Sequence, residues 1–244
     1  IADCVSASLV TYFLMTGDEM VRFNPKKMSL KKEQVIKIIK IGAPAGLQGV
    51  VFSVSNVCIQ SAINGFGTKA IAGSSAALNY EYFTYYVINA FNQTTVTFTS
   101  QNYGVRKFKR MDKVLADCAI LSIIVSVVIG GGSYLLGHQI LGIYTKQEDV
   151  IQCGMEILSI STIPYFLCGL MDMIPGSMRG VGYSAVPMIL SIIGTVGTRL
   201  VWIYGVFPEH RSLYVLFMSY PVSWGLTIVM QAICLVFVRR KIRK

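Results

Sequence analysis

Residues Tyr165–Tyr183 read YFLCGLMDMIPGSMRGVGY. The stretch is apolar but for one carboxylate, Asp172, until it ends at Arg179 in a glycine-rich turn. Pro164 precedes it and Pro175 lies inside it. Its surroundings read as membrane-spanning helix. A carboxylate is costly inside a spanning helix, so its retention points to a proton or cation site or to a buried pairing. Proline in such a helix frees a backbone carbonyl and bends the chain. Pro164 and Pro175 are therefore hinge candidates that interrupt this span, with a passive packing kink as the plainer alternative.

Composition agrees with a membrane protein. The 244 residues are 53% hydrophobic and 14% charged, whereas a soluble domain carries about 25% charged residues. The formal net charge is +10. That charge falls in short clusters between apolar runs, the positive-inside pattern, which argues against nucleic acid as a partner. Six cysteines (Cys4, Cys58, Cys118, Cys153, Cys168 and Cys234) show neither a CxxC pair nor metal-ligand spacing.

Outward from Tyr165–Tyr183, the chain reads as an all-α polytopic membrane protein with six spans. They cover about 42–66, 70–101, 114–136, 150–176, 185–207 and 213–238. Before them, residues 1–15 are too short to span and lack a basic signal-peptide region, so they read as the end of a preceding transmembrane helix. Residues 16–40 form a basic linker with Arg22, Lys26, Lys27, Lys31, Lys32, Lys37 and Lys40. Within it Ser29–Lys40, with Leu30, Val35, Ile36, Ile38 and Ile39, reads as an amphipathic helix on the inner leaflet or as a solvated linker helix. The six-helix lobe occupies residues 41–238, and 239–244 (RRKIRK) form a basic tail.

Charge sets the expected orientation. With the linker in the cytoplasm, the basic loop at 106–113, Arg179 and the tail also fall inside, which accounts for 18 of the 22 Lys and Arg residues. The outer loops hold Lys69, Lys146 and Arg211, and Arg199 lies within a span.

Two polar stripes stand out. The first span carries Gln48, Asn56 and Gln60; the second carries Glu81, Tyr85, Asn89, Asn92 and Gln93. Stripes of this kind face a bundle interior or a cavity, with helix-to-helix hydrogen bonding as the alternative. Cavity lining is the reading adopted, because adjacent helices both carry one. Asp172 and Glu81 are the candidates for cation coupling. A carboxyl in a low-dielectric site can take a proton near neutral pH or hold a cation that replaces lost solvation. Arg199 is the candidate charge partner. Counting along the helices places Glu81 and Arg199 near the outer ends of their spans, so these two are expected to pair, leaving Asp172 alone. No catalytic or metal-binding motif occurs, and His138 and His210 both fall in outer loops.

Four runs, GAPAGLQ (42–48), NAFNQTTVTFTSQNYG (89–104), GSMRGVGYSAVP (176–187) and SYPVSWGLT (219–227), together resemble the multidrug and toxic compound extrusion (MATE) family. The likeness is greatest to the bacterial branch with DinF-like and MepA-like exporters. It covers nearly the whole chain. It implies two six-helix lobes facing each other across a cavity, this chain being the end of the sixth helix plus the carboxy-terminal lobe. It also implies export of organic, often cationic, compounds across a bacterial cytoplasmic membrane in exchange for protons or sodium ions, by rocking of the lobes. Partners are then the substrate, membrane lipid and the amino-terminal lobe; no resident cofactor is implied. The NorM-like branch carries a cation-site Glu in the first helix of this lobe, but residues 42–66 contain no acid. That branch also has Tyr followed four residues later by Asp in the fourth helix. Here Tyr165 is followed by Gly169, and Asp172 comes three residues later. Glu81 and Asp172 are candidates for that role, with coupling in the other lobe as the alternative.

Other readings make different demands. A lipid-linked oligosaccharide flippase of the same superfamily needs basic cavity residues for pyrophosphate, and Arg199 is the one base deep in a span. An intramembrane enzyme needs two reactive groups converging at one depth. A membrane scaffold needs no central cleft.

Overall fold

The computed structural model describes residues 2–17, 22, 23, 29 and 31–243. Lys26, Lys27 and Leu30 of the expected linker, and Lys244 of the tail, lie outside the described residues. The chain divides into two compact units, Ile1–Ile39 and Lys40–Lys244. In the first, α1 (Ala2–Thr16) is a 15-residue apolar helix, about 22 Å long and so shorter than a bilayer core. Its Ser8, Thr11 and Thr16 hydroxyls donate to carbonyls one turn back.

The other helices are α2 (Lys32–Asn64), α3 (Thr68–Gly104), α4 (Phe108–Leu135), α5 (Gly137–Tyr144), α6 (Glu148–Ser161), α7 (Tyr165–Gly180), α8 (Ala185–Val206) and α9 (Leu213–Arg243). The described residues form no strand. In hydrocarbon a helix satisfies its backbone internally, which is why apolar runs of this length take that form. Four helices, α2, α4, α8 and α9, are long and apolar enough to cross a membrane; α6 and α7, bent by 48° at their junction, make a fifth span if taken together. The remaining predicted span is α3. It has the length, 37 residues, but its Asn, Gln, Glu and Thr side chains keep it below the apolarity of the others.

Four local features depart from the sequence reading. Among the described residues of 29–40, those from Lys32 onward belong to α2, which continues past Pro44, rather than to a separate amphipathic helix. The expected polar turn at 137–149 contains α5, because Leu141 is fully buried and packs over Gly154 of α6. The expected tail is a helical continuation of α9. Its Arg239 is buried, donates to Ser177 Oγ at 2.8 Å and lies 3.3 Å from Asp112 Oδ1. Pro164 stands at the break between α6 and α7, whereas Pro175 is buried inside a continuous α7 and does not interrupt it.

Close approach of small residues holds the lobe together, as it must where lipid tails are as apolar as the side chains. Helix α3 packs most extensively on α7, α4 and α6. A Cβ on Gly73 of α3 would meet the Val150 carbonyl of α6 at 2.7 Å, and one on Gly180 of α7 would meet the Val96 carbonyl of α3 at 2.8 Å. Helix α7 ends as its sequence suggests: Gly182 takes φ +91°, open to glycine, and the Tyr183 N–H donates to the Met178 carbonyl at 2.9 Å. Helix α8 is not uniform. Ile192–Gly197 and Trp202–Val206 are π-helical turns on either side of Thr198–Val201.

Gly73→Ala in the full-length protein should destabilise the lobe by about 1–3 kcal/mol, the usual cost of overpacking, because backbone of α6 stands in the way. Gly131→Ala, which meets nothing within 4 Å, is the control. Thermal unfolding in detergent should show a lower midpoint for the first and none for the second; equal midpoints would contradict the packing described.

Candidate functional site

Helices α2, α3, α7, α8 and α9 enclose one side of an open cavity of about 570 Å³. Asn56 and Gln60 of α2, Glu81 and Tyr85 of α3, Asp172 of α7 and Arg199 of α8 all line it. The aromatic side chains of Phe52, Tyr82, Tyr165, Phe217, Tyr220 and Trp224 supply much of the remaining wall. The two carboxylates and the guanidinium, which depth counting placed partly apart, thus share a single cleft.

Each charged group is held differently. Glu81 is buried, and its Oε1 has no hydrogen-bond partner among the described residues. It is positioned through its backbone: the Tyr165 hydroxyl donates to the Glu81 carbonyl at 3.2 Å, tying α7 to α3. Tyr165 in turn packs edge-on against Trp224, with ring centroids 5.6 Å apart, and Trp224 packs against Tyr220 at 5.7 Å. Asp172 is half-buried on the cavity wall, with the Tyr85 side chain beside it. Arg199 is 5% exposed. Its Nε donates to Ser223 Oγ at 3.3 Å and its Nη1 to Asn56 Oδ1 at 3.2 Å, and the guanidinium lies over the Tyr220 ring, 4.1 Å from the centroid.

The expected pairing of Glu81 with Arg199 does not form. Among the described residues, the ion pairs within 4.0 Å join Lys69 to Asp149, and Asp112 to Arg239 and Arg243, while His138 Nε2 lies 3.1 Å from Glu148 Oε1. Arg199 instead takes neutral acceptors and an aromatic face, both of which stabilise a buried cation without a counter-charge.

Four of the proposed cavity residues lie elsewhere. Gln48 is buried and accepts from Arg179 Nη2 at 2.6 Å, joining α2 to the end of α7. Asn92 is buried against Gly176, where a Cβ would come within 2.3 Å of its Oδ1. Asn89 and Gln93 continue from Tyr85 as a ladder along α3: Gln93 Nε2 donates to Asn89 Oδ1 at 3.3 Å, and Asn89 Nδ2 donates to the Tyr85 hydroxyl at 3.2 Å. The aromatic wall was not singled out from sequence; the run SYPVSW supplies Tyr220 and Trp224 at i, i+4, which is the signal that marks them as one face.

Comparison with known proteins places the chain in a family. A family model described as MatE matches residues 44–204. The chain is 22% identical over 215 residues to the probable multidrug resistance protein YoeA of Bacillus subtilis, covering 87% of this chain and 46% of that protein. It is 23% identical over 194 residues to the multidrug export protein MepA of Staphylococcus aureus, covering 79% and 43%. The chain therefore spans less than half the length of these relatives. Among solved structures, MATE in complex with MaL6 superposes with a TM-score of 0.87 at 15% identity, over 98% of this chain and 55% of that one. A MOP superfamily transporter from Pyrococcus furiosus, described by a reversed polarity of its binding pocket, gives 0.87 at 16%, over 99% and 55%. At such identities the structural likeness speaks for the fold.

Tyr165→Phe removes one bond between α7 and α3 while keeping the ring contact with Trp224. It should lower stability by about 0.5–1.5 kcal/mol, read as a small drop in the detergent unfolding midpoint. Tyr165→Ala, which also empties the aromatic contact, should cost about 3–5 kcal/mol. Equal effects would mean that the ring contact contributes nothing beyond the hydroxyl, and an unchanged midpoint in Tyr165→Phe would mean that the hydroxyl contributes nothing.

Proposed function

The chain belongs to the MatE family, and from that premise we propose that it forms one lobe of an antiporter that exports drugs or other organic compounds in exchange for protons or sodium ions. The family is one of transporters rather than enzymes, and the chain is a multi-pass membrane protein. Glu81 and Asp172 are the coupling groups of this reading, and the observation that carries it is their placement on separate helices around one open cavity.

The chemistry follows from where the acids sit. A carboxylate drawn away from water gains more from a proton or a small cation than one on the surface does. Glu81 has an oxygen left without a protein partner, and Asp172 faces the same space. An ion and a substrate that compete for these oxygens cannot both occupy them, which is the condition for exchange. The aromatic wall offers faces to flat organic molecules, cations included. In this proposal the other half of the protein completes the cavity, and rocking between halves opens it to either side. In this proposal the loop at 106–113 and the end of α9 lie in the cytoplasm, a reading that their clustered Lys and Arg residues support.

In the full-length protein, Asp172→Asn and Glu81→Gln should each reduce drug efflux by tenfold or more while membrane insertion stays normal. The assay is efflux from vesicles with proton and sodium gradients imposed separately, so that the driving ion is read at the same time. Normal efflux in both variants would remove coupling from this lobe.

A further inference from the structure

Arg199 has chemistry that cation export does not use. Two of its nitrogens are engaged, Nε by Ser223 and Nη1 by Asn56. Its Nη2 makes no hydrogen bond among the described residues, and Arg199 lines the cavity. A guanidinium fixed on two sides and stacked on Tyr220 cannot swing away to solvent. Among the described residues no carboxylate bonds to it within 4.0 Å, although Glu81 is near enough to feel its charge and Asp172 shares the cavity. A buried charge without a bonded counter-ion is costly, and a ligand that brings an anionic oxygen to it offsets that cost.

We propose that Arg199 is a specificity-determining residue that binds the carboxylate of an aromatic substrate. This deepens the export reading and rests on it: the substrate class includes aromatic acids and amphoteric aromatic compounds, not only cations. The guanidinium presents Nη2 as a donor to the carboxylate. The ring of the ligand lies against the aromatic wall around Trp224, next to Tyr220. Where the ligand also carries an amine, Asp172 is the acid available to it in the same cavity. Asn56 sets the geometry as a positioning residue, by holding Nη1 and leaving Nη2 turned to the ligand.

The test is a calorimetric titration of purified full-length protein with 1-naphthylacetate and with its neutral methyl ester, which share ring and shape and differ in charge. Wild type should bind the acid at least tenfold more tightly than the ester. In Arg199→Gln that preference should vanish, acid and ester binding within about twofold of one another; Arg199→Lys should keep part of it. Absence of preference in wild type would overturn the proposal whether or not the variants fold. A preference that survives in monodisperse Arg199→Gln would overturn it equally. Binding needs no ion gradient, so loss of coupled efflux with the acid preference intact would sink the antiport reading alone.

Discussion

Hydrocarbon offers no hydrogen bonds, so polar groups carried into the membrane depend on partners from within the protein. The lobe supplies such partners at two ranges. Short side chains bond to their own helix: Ser161, Thr95 and Thr227 all donate to carbonyls one turn back. Long ones reach across: Arg179 to Gln48, Arg199 to Asn56 and Ser223, Gln231 to Ser191, Arg239 to Ser177. The second set decides the architecture. Helix α2 is buried along a narrow seam of Gln48, Ser55, Ile59 and Ile63, and the arginines of α7 and α8 each donate to an amide oxygen on it, eight residues apart. Those two bonds hold α2 as a wall of the cavity without closing it over.

Much of the helical plan can be read from apolar run length, and the break at Pro164 from the residue itself. The partners across the cavity are a different matter. Counting depth along a span assumes a straight helix with a constant rise of about 1.5 Å per residue. The 48° bend between α6 and α7 and the π-helical turns of α8 break that assumption where Asp172 and Arg199 sit. The count therefore separated Asp172 from Glu81, which lines the same cavity. It also paired Glu81 with Arg199 by charge, although an amide and a hydroxyl hold the guanidinium.

The polar stripe on α3 shows what finer reading is available. Ala77, Glu81, Thr84, Ile88, Asn92, Thr95 and Thr99 are all buried, at spacings of three or four residues. That is the period of a seam that stays on one face. Tyr85, Asn89 and Gln93 recur strictly every four residues, and such a row drifts around the helix by about 40° per step. It starts at the cavity with Tyr85 and ends exposed at Gln93. Treating the two rows as one stripe put Asn92 in the cavity; separating them by period assigns it to the packing against Gly176, where the structure has it. Gln48 belongs with the α2 seam for the same reason, seven residues before Ser55.

Charge in the cavity is arranged against self-neutralisation. A buried acid bonded to a buried arginine forms a structural unit whose partners are already satisfied, and neither is free for a ligand. Here Tyr165 holds Glu81 by its backbone and leaves Oε1 of its carboxyl without a partner among the described residues, while Asn56, Ser223 and Tyr220 occupy the guanidinium without cancelling its charge. The π-helical turns flanking Thr198–Val201 belong to the same arrangement. Such widened turns are uncommon and recur at functional sites, and the segment between them bears Arg199, which reaches neutral acceptors on α2 and α9. A cavity so built keeps charges of both signs available within one space, which a lobe stabilised by packing alone would have no physical reason to maintain.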